Sequence, residues 1–159
     1  MSATVRLEGF KELERELDNL SKAAGKGALR RALFKAAQPT AELAQSKAPR
    51  LTGRLQQSIV IGAKLNKRQS KLHRSMFRDD RSSVELFVGP SYLMGDGGRH
   101  GHLVEFGTRK MAAQPFMRPA WDQDQKAMLE RLKENLWGEI SKAIARAERR
   151  AARLAAQQG

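Results

Sequence analysis

The sequence predicts an α+β fold, in which a small antiparallel sheet packs against two or three helices. Three observations lead to this prediction. Apolar residues recur every three or four positions in the first fifty residues and again after residue 119, which is the period of an amphipathic helix. Two β-branched, apolar runs lie between these helical stretches. About twenty residues rich in lysine and arginine separate the two runs, which is too many for a tight hairpin.

The amino-terminal part of the chain predicts a short strand followed by two helices. Residues 5–7 alternate between apolar and polar, and residues 10–20 place four apolar side chains on one helical face. Residues 29–48 are rich in alanine, which favours helix and allows a neighbouring element to approach closely. Pro39 removes a backbone donor inside this stretch, so we expect it to kink the helix or split it in two. Pro49 ends the helix.

A turn and two strands follow the second helix. Thr52 is expected to cap one helical turn, and Gly53 to relieve a tight backbone. Residues 58–63 predict the first strand and residues 82–90 its antiparallel partner. The segment between them, residues 64–82, is too basic for a core. We call it the basic arm and expect it to project from the domain.

The carboxy-terminal part of the chain predicts one long helix from about residue 119 to residue 158. A helix of about 36 residues would be roughly 55 Å long, which exceeds what a single core of this size requires. We therefore assign residues 1–141 to one α+β domain and residues 142–159 to a basic extension of the helix. This basic extension is expected to leave the domain body or to dock on another subunit.

Composition limits the classes of function. The chain has 159 residues, no cysteine, 40% hydrophobic residues and 6% aromatic residues. Disulfides, thiolate catalysis and cysteine-based zinc sites are therefore excluded. No apolar run reaches the roughly 18 residues that a membrane span needs, and the first residues lack the apolar segment of a signal peptide. The sequence predicts a protein of the cytosol without membrane partners.

The charge of the chain indicates an anionic partner. Thirty basic residues against seventeen acidic ones give a net charge of +13. Two segments hold nine of these thirteen net charges. The basic residues of the arm are Lys64, Lys67, Arg68, Lys71, Arg74, Arg78 and Arg81, and those of the extension are Lys142, Arg146, Arg149, Arg150 and Arg153. Two partners remain open, an acidic protein surface and the phosphates of DNA. The arm lacks the pattern of a sequence-specific reader.

No constellation in the sequence predicts catalysis or a bound cofactor. Asp96, His100, His102 and Glu105 offer metal-ligand chemistry, but the glycine-rich stretch around them fixes no geometry. That stretch also lacks the Lys-Ser or Lys-Thr of a phosphate-binding loop. Ser58 with the histidines does not form a specific nucleophile pattern. We predict that the protein is not an enzyme and holds no metal or cofactor.

Glu105 is the most informative single charge. It lies between Val104 and Phe106, and a carboxylate among apolar neighbours needs a partner when it is buried. Three roles remain open: a structural ion pair, a cap on a neighbouring turn, or a contact across a subunit interface. The candidate partners for an ion pair are Arg54, Arg109 and Arg118.

Three motifs place glycine or proline next to apolar anchors, which is how a chain fixes turns between packed elements. They are residues 48–55 with Ser58 and Ile59, residues 104–108, and residues 114–120. We expect the core to be held by Leu55, Ile59, Phe106, Phe116 and Trp121. The expected turn residues are Pro49, Thr52, Gly53, Gly107, Pro115 and Pro119.

In this order the three motifs resemble the tail-completion, or head–tail joining, proteins of long-tailed bacteriophages, a family similar to the lambda minor tail protein Z type. The resemblance spans roughly residues 9–142, and the chain departs from it in the basic arm and the basic extension. It implies a structural protein of the phage neck that completes the tail and helps join it to the head. The alternative from charge alone is a basic nucleic-acid-binding protein without enzymatic activity.

The resemblance also implies partners and a location. Such proteins form rings, usually of six copies, around the channel that DNA crosses, so a homo-oligomer is expected. Other expected partners are neck and tail proteins such as the connector, the tail terminator or the tail tube, with non-specific contact to DNA in the channel. The expected location is the virion, and the host cytoplasm during assembly.

Overall fold

The computed structural model of the chain describes residues 22–76, 84–92 and 96–157, together with residues 15, 18 and 20. The predicted strand at residues 5–7 and most of the predicted first helix lie outside the described residues. The same holds for two arginines of the basic arm, Arg78 and Arg81.

The described residues are mostly helical, with one small sheet. The elements in chain order are α1 (Lys22–Lys47), α2 (Arg54–Ser58), β1 (Ile59–Gly62), α3 (Lys67–Met76), β2 (Phe87–Pro90), a 3₁₀ helix (Asp96–His100), α4 (Gly101–Phe106) and α5 (Met117–Gln157). The predicted α+β class, with its small antiparallel sheet and long terminal helix, is confirmed. Within these described ranges no helix has the length and apolar character needed to cross a membrane.

The sheet consists of two antiparallel strands that are shorter than predicted. Ile59 pairs with Pro90, and Gly62 pairs with Phe87 at the other end. Beyond the ladder, the backbone N–H of Ser91 donates to the Ser58 carbonyl at 2.8 Å. The side-chain amide of Gln45 donates to the Ile59 carbonyl at 2.9 Å, which ties β1 to α1. The sheet is therefore anchored to the helices at its first residue.

α1 and α5 form the main packed pair, and two apolar clusters join them. One contains Ala32, Leu136 and Ile140. The other joins the end of α1 to the start of α5 and to the first strand, and its buried members are Ala44, Ala48, Ile59, Phe116 and Ala120. Alanine dominates the α1 side of both clusters, so the two helices approach closely, as the alanine-rich sequence predicts.

A buried polar layer separates the two clusters. The Thr40 hydroxyl donates to Asp124 Oδ2 at 2.5 Å, and the Arg131 guanidinium donates to both oxygens of Asp124, at 3.1 and 2.6 Å. Burial raises the pKa of Asp124, but the hydrogen bonds from Arg131 and Thr40 outweigh it and lower that pKa overall. Because buried polar groups require these partners, the layer fixes the register between α1 and α5.

Pro39 does not split the second predicted helix, because α1 runs without interruption from Lys22 to Lys47. A proline inside a helix removes one backbone hydrogen bond and crowds the preceding turn. In that turn, the carbonyl of Ala36 accepts hydrogen bonds from Arg131 Nε and Nη2 at 3.3 and 3.1 Å. The hydrogen bond that Pro39 cannot donate would go to the Lys35 carbonyl, so the Arg131 contacts tie α5 to the turn before the proline without replacing that bond.

Glu139 forms a second polar contact between the two helices. It is 4% exposed, and its carboxylate accepts from Arg31 Nε at 2.6 Å and from Lys35 Nζ at 2.9 Å. The hydrogen bonds from Arg31 and Lys35 lower the pKa of Glu139 from 4.5 to about 2. A nearly buried carboxylate at the centre of α5 is thus fully charged at neutral pH and paired with α1.

The Glu139 contact predicts an acid-sensitive part of the stability. Because the folded pKa lies below the ordinary value, this stabilisation is complete above pH 4.5 and is lost as the pH falls through about 2. Glu139→Gln should lower the free energy of unfolding at pH 7 by about 1–3 kcal/mol, since it weakens hydrogen bonds to a charged group. Urea unfolding from pH 7 to pH 2.5 measures both effects, because the variant should lose less stability on acidification than the parent.

The matched control is Glu134→Gln, an exposed glutamate on the same helix. It should leave both the stability and its pH dependence nearly unchanged. Equal effects at positions 134 and 139 would contradict the assigned role of Glu139.

Candidate functional site

The three sequence motifs meet where α5 begins. Phe116 is fully buried and packs in one cluster with Ile59, while Leu55 is partly buried against them. Phe106 and Trp121, which we expected in this core, are not in it. Phe106 is 71% exposed and Trp121 is 49% exposed. The small cluster is completed by alanines instead, which leaves these two aromatic rings on the surface.

The carboxylate of Glu105 caps the amino terminus of α5. Its Oε2 atom accepts the backbone N–H of Phe116 at 2.7 Å and that of Met117 at 2.9 Å, and its Oε1 atom accepts that of Arg118 at 3.0 Å. Of the three roles that the sequence left open, the structure thus assigns it the cap on a neighbouring turn. Arg118 contributes through its backbone N–H and its positive charge.

The first turn of α5 leaves no backbone donor without a partner. A helix has four such donors at its start, on the residues from the N-cap to the third helical position. Phe116 is the N-cap, because its carbonyl accepts the first bond of the helix, from Ala120 N–H at 3.3 Å. Glu105 binds three of the four donors, and the fourth position is Pro119, which has no N–H. The second and third motifs are therefore two halves of one capping structure.

The ionisation of Glu105 follows from this geometry. Burial raises the pKa of its carboxyl group, but three backbone N–H groups and the charge of Arg118 outweigh it, so the pKa is lowered overall. The positive end of the helix dipole favours the same charged form. Glu105 is consequently an anion at neutral pH.

Gly107 allows the chain to return from Glu105 to Phe116. It ends α4 with φ 74° and ψ 178°, a backbone region that is essentially restricted to glycine. A Cβ atom here would lie 2.8 Å from the Ala113 nitrogen and 2.9 Å from the Met111 carbonyl oxygen. The Gln114 N–H then donates to the Val104 carbonyl at 2.8 Å, and Pro115 follows, leading into α5.

The first motif forms the turn between α1 and β1. Thr52 is not the cap that we expected. The N-cap of α2 is Gly53, which has φ 74° and no side-chain cap. Pro49 follows the end of α1, and Leu51 between these turn residues is 96% exposed. A large apolar side chain therefore stands free of the described part of the chain.

The basic arm contains a helix, which the sequence analysis did not predict. Asn66 and Gln69 form a reciprocal cap at its start, with the Gln69 N–H donating to Asn66 Oδ1 at 2.8 Å. The helix, α3, has no buried residue, and Lys67, Lys71 and Arg74 share one exposed face with Arg68 beside it. The opposite side of α3 contacts the sheet, where the His73 ring packs edge to face on Phe87 with 5.3 Å between the ring centroids. Lys64 precedes the helix and is exposed.

The basic extension continues α5 beyond its packed part. Up to about residue 145, buried or half-buried side chains recur along α5 between exposed ones. From Arg146 to Gln157 every side chain is exposed. Arg146, Arg149, Arg150 and Arg153 all lie in this exposed part, together with Leu154, which is 51% exposed. The structure therefore leaves about three helical turns outside the α1–α5 pair.

An open apolar groove of about 730 Å³ lies between α1, β2, α4 and the first half of α5. Its lining includes Leu33, Val88, Tyr92, Phe106, Trp121 and Met128. We call it the apolar groove. Most of these residues were absent from the sequence-based site, because no motif distinguishes an apolar residue of an open groove from one of a closed core. In the structure, the exposure of Phe106 and Trp121 reveals the apolar groove.

The described part of the glycine-rich stretch is a short helix with two exposed histidines. Residues 96–100 form the 3₁₀ helix, and His100 and His102 are both exposed. Among the residues that the structure describes, no group of three His, Asp or Glu side chains could hold a metal ion. The arrangement offers surfaces for other macromolecules: the apolar groove, the basic face of α3 and the basic extension.

Comparison with known proteins gives one match. Residues 11–107 match the sequence profile of the HK97-gp10-like family, which is described as "Bacteriophage HK97-gp10, putative tail-component". The match covers more than half of the chain and includes the first motif and most of the second. No curated protein and no solved structure matches the chain.

Removing the Glu105 cap should destabilise the protein. Glu105→Ala leaves three backbone donors at the start of α5 without their acceptor and should lower the free energy of unfolding by about 0.5–2 kcal/mol. The lowered pKa means that this contribution is present above the ordinary glutamate pKa and is lost as the pH falls through the folded one. Chemical unfolding at pH 7 and at pH 3 measures the difference. The control Glu130→Ala, at an exposed site further along α5, should be close to neutral.

A pair of glycine variants tests the return turn. Gly107→Ala should cost about 1–3 kcal/mol of stability, because alanine is strained in this backbone region and its Cβ meets backbone atoms. Gly138→Ala is the control, because nothing lies within 4 Å of its added Cβ on α5. It should raise the stability by about 0.5–1 kcal/mol, since alanine favours helix. Thermal unfolding measures the melting temperature of both variants. A shift of both melting temperatures in the same direction would contradict the role assigned to Gly107.

Proposed function

Since the chain belongs to the HK97-gp10-like family of bacteriophage tail components, we propose that it completes the phage tail and helps join the tail to the head. The family match over residues 11–107 carries this proposal, because it indicates a structural role in the virion. The tail-completion role is more specific than the family description, which names only a tail component. It is supported by the three motifs, which the structure brings together around the start of α5.

We further propose that the protein acts as a ring, of six copies, around the channel that DNA crosses. Exposed apolar surface supports the oligomer, since soluble monomers rarely expose large contiguous apolar patches. Here Leu51, Tyr92, Phe106 and Trp121 are all about half exposed or more. Closed rings form when one surface of a subunit binds a different surface of the next.

The basic surfaces fit the neighbours of such a ring. The exposed face of α3 and the basic extension together carry nine lysines and arginines whose positions the structure describes: Lys67, Arg68, Lys71, Arg74, Lys142, Arg146, Arg149, Arg150 and Arg153. On a ring they would meet acidic surfaces of the connector, the tail terminator or the tail tube, or DNA phosphates in the channel. The proposed location is the virion, with assembly in the host cytoplasm.

The proposed role is structural and needs no catalysis. Turns, helix caps and contact surfaces are sufficient for this role, and no residue needs to act as a nucleophile, an acid or a base. Glu105 serves the start of α5 in this role, and Arg118 beside it is exposed and available to a neighbouring subunit.

A second candidate is a nucleic-acid-binding protein that acts as a monomer. The one-sided basic face of α3 favours it, because lysines and arginines on one helical face can neutralise several phosphates at once. The two candidates respond oppositely to salt. Binding to phosphates weakens as salt rises, whereas apolar assembly of a chain with a charge of +13 is favoured when salt screens the repulsion between copies.

Light scattering on the purified, nuclease-treated protein separates these candidates. We expect the mass of a six-copy ring, free of nucleic acid, with the assembled fraction rising from about 0.05 M to 0.5 M salt as screening shortens the Debye length. A nuclease-sensitive complex of the monomer, which releases its ligand in salt, would support the second candidate instead.

Phage grown without this protein tests the virion role directly. We expect DNA-filled heads and separate tails in electron micrographs, and rescue when the parent protein is supplied in trans. Infectious, fully joined particles in its absence would contradict the proposal.

A further inference from the structure

We infer that the apolar groove of one copy binds residues 146–157 of the basic extension of the next copy. This inference deepens the ring part of the proposed function and rests on it. It pairs two exposed features of the described chain, the apolar groove and the end of α5.

The basic extension lacks a surface to pack against within the described chain. All of residues 146–157 are exposed, and isolated helices of about this length are marginal in water. Their apolar side chains recur at helical spacing, with Ala147, Ala151 and Leu154 on one side and the four arginines along one flank of that stripe. Such a stripe is narrow and shallow, so it suits a groove lined by large side chains.

Among the residues that the structure describes, none occupies the apolar groove in that way. Its aromatic rim, formed by Tyr92, Phe106 and Trp121, is about half exposed or more. Helix-in-groove binding places an amphipathic helix on such a surface, with anchors at three- and four-residue intervals. Small residues on the helix and large ones in the groove are sterically complementary.

The two features cannot meet within one copy. Trp121 and Leu154 lie on the same continuous helix, 33 residues apart, which places them about 50 Å from each other. A helix cannot fold back onto its own first half without breaking. Contact between them therefore requires two copies, and it joins different surfaces of the two partners. Repeated, this head-to-tail contact builds a ring when its rotation closes.

The charges around the groove favour this occupant. A hollow beside the groove shares Glu105 and Arg118 with it and adds Asp122, so two carboxylates accompany one arginine at this rim. The extension carries four arginines and one glutamate between residues 146 and 157. The formal charges of these three side chains sum to −1, so on a chain with a net charge of +13 this rim does not repel such a segment.

Site-directed crosslinking tests the contact, because the chain has no cysteine. The double variant His102→Cys with Ala151→Cys places one thiol at the exposed edge of the groove and one on the extension. Under a short bismaleimide it should give a ladder of covalent oligomers that ends at the ring size. A mixture of the two single variants should give heterodimers only, since each pair then has one thiol of each kind.

The matched control replaces Ala151→Cys by Ala127→Cys, an exposed alanine on the packed part of the same helix. It should give no ladder. Adding Phe106→Ala and Trp121→Ala to the first double variant should lower crosslinking about tenfold or more, as the loss of aromatic anchors does at interfaces. Circular dichroism and urea unfolding would show that this variant stays folded.

The outcomes separate the inference from the proposed function. Assembly by light scattering without the ladder would overturn the inference and leave the ring in place. An equal ladder from the Ala127→Cys control would also overturn it. A chain that remains monomeric at every concentration and salt, with no ladder, would overturn the inference and the self-assembling ring together. Heterodimers from the mixed single variants, lowered about tenfold or more when Phe106→Ala and Trp121→Ala are added to the His102→Cys copy, would support it.

Discussion

The Glu105 carboxylate at the start of α5 is the constraint on which the rest of the structure depends. A helix of 41 residues begins beside the buried Phe116, at a point where its first backbone donors have no acceptor within the helix. One carboxylate satisfies all three of them, and the proline at position 119 removes the fourth. The direction in which α5 leaves the domain is thus set by a side chain from the preceding short helix. That direction decides where the basic extension points.

The pairing of α1 with α5 carries this direction along the molecule. Alanines allow close approach, while two polar contacts, at Asp124 and at Glu139, permit only one register, because a shift would leave buried charges without partners. Polar contacts of this kind add little net stability but much specificity. For an assembly protein this is a useful property, since a rigid α5 holds the groove at one end and the extension at the other at a fixed distance of tens of ångströms.

Local rules predicted the local structure well and the long-range contacts poorly. Periodicity predicted α1, α5 and the two strands, although Pro39 does not divide α1 and the strands are shorter than predicted. An apolar-flanked glutamate before a glycine indicated a carboxylate that needs a partner. The contacts of Thr40, Arg131 and Glu139 join residues about a hundred positions apart, and no single-sequence pattern specifies which charges meet. The helix in the basic arm was missed for a different reason. The spacing of Asn66 and Gln69 fits a capping pair at the start of a helix. Because the segment around them is so highly charged, we interpreted it as a projecting arm instead.

The exposure of Phe106 and Trp121 shows where sequence reasoning reaches its limit. Hydrophobicity predicts that an aromatic ring will be buried, but not whether its own chain or another copy buries it. In a monomer this surface would be a liability for aggregation, whereas in an assembly it supplies the free energy of contact. The net charge of +13 then has a second consequence besides attraction to anions. Like-charged copies repel at a distance, so close contact between them must be carried by short-range apolar burial. The apolar groove offers such burial.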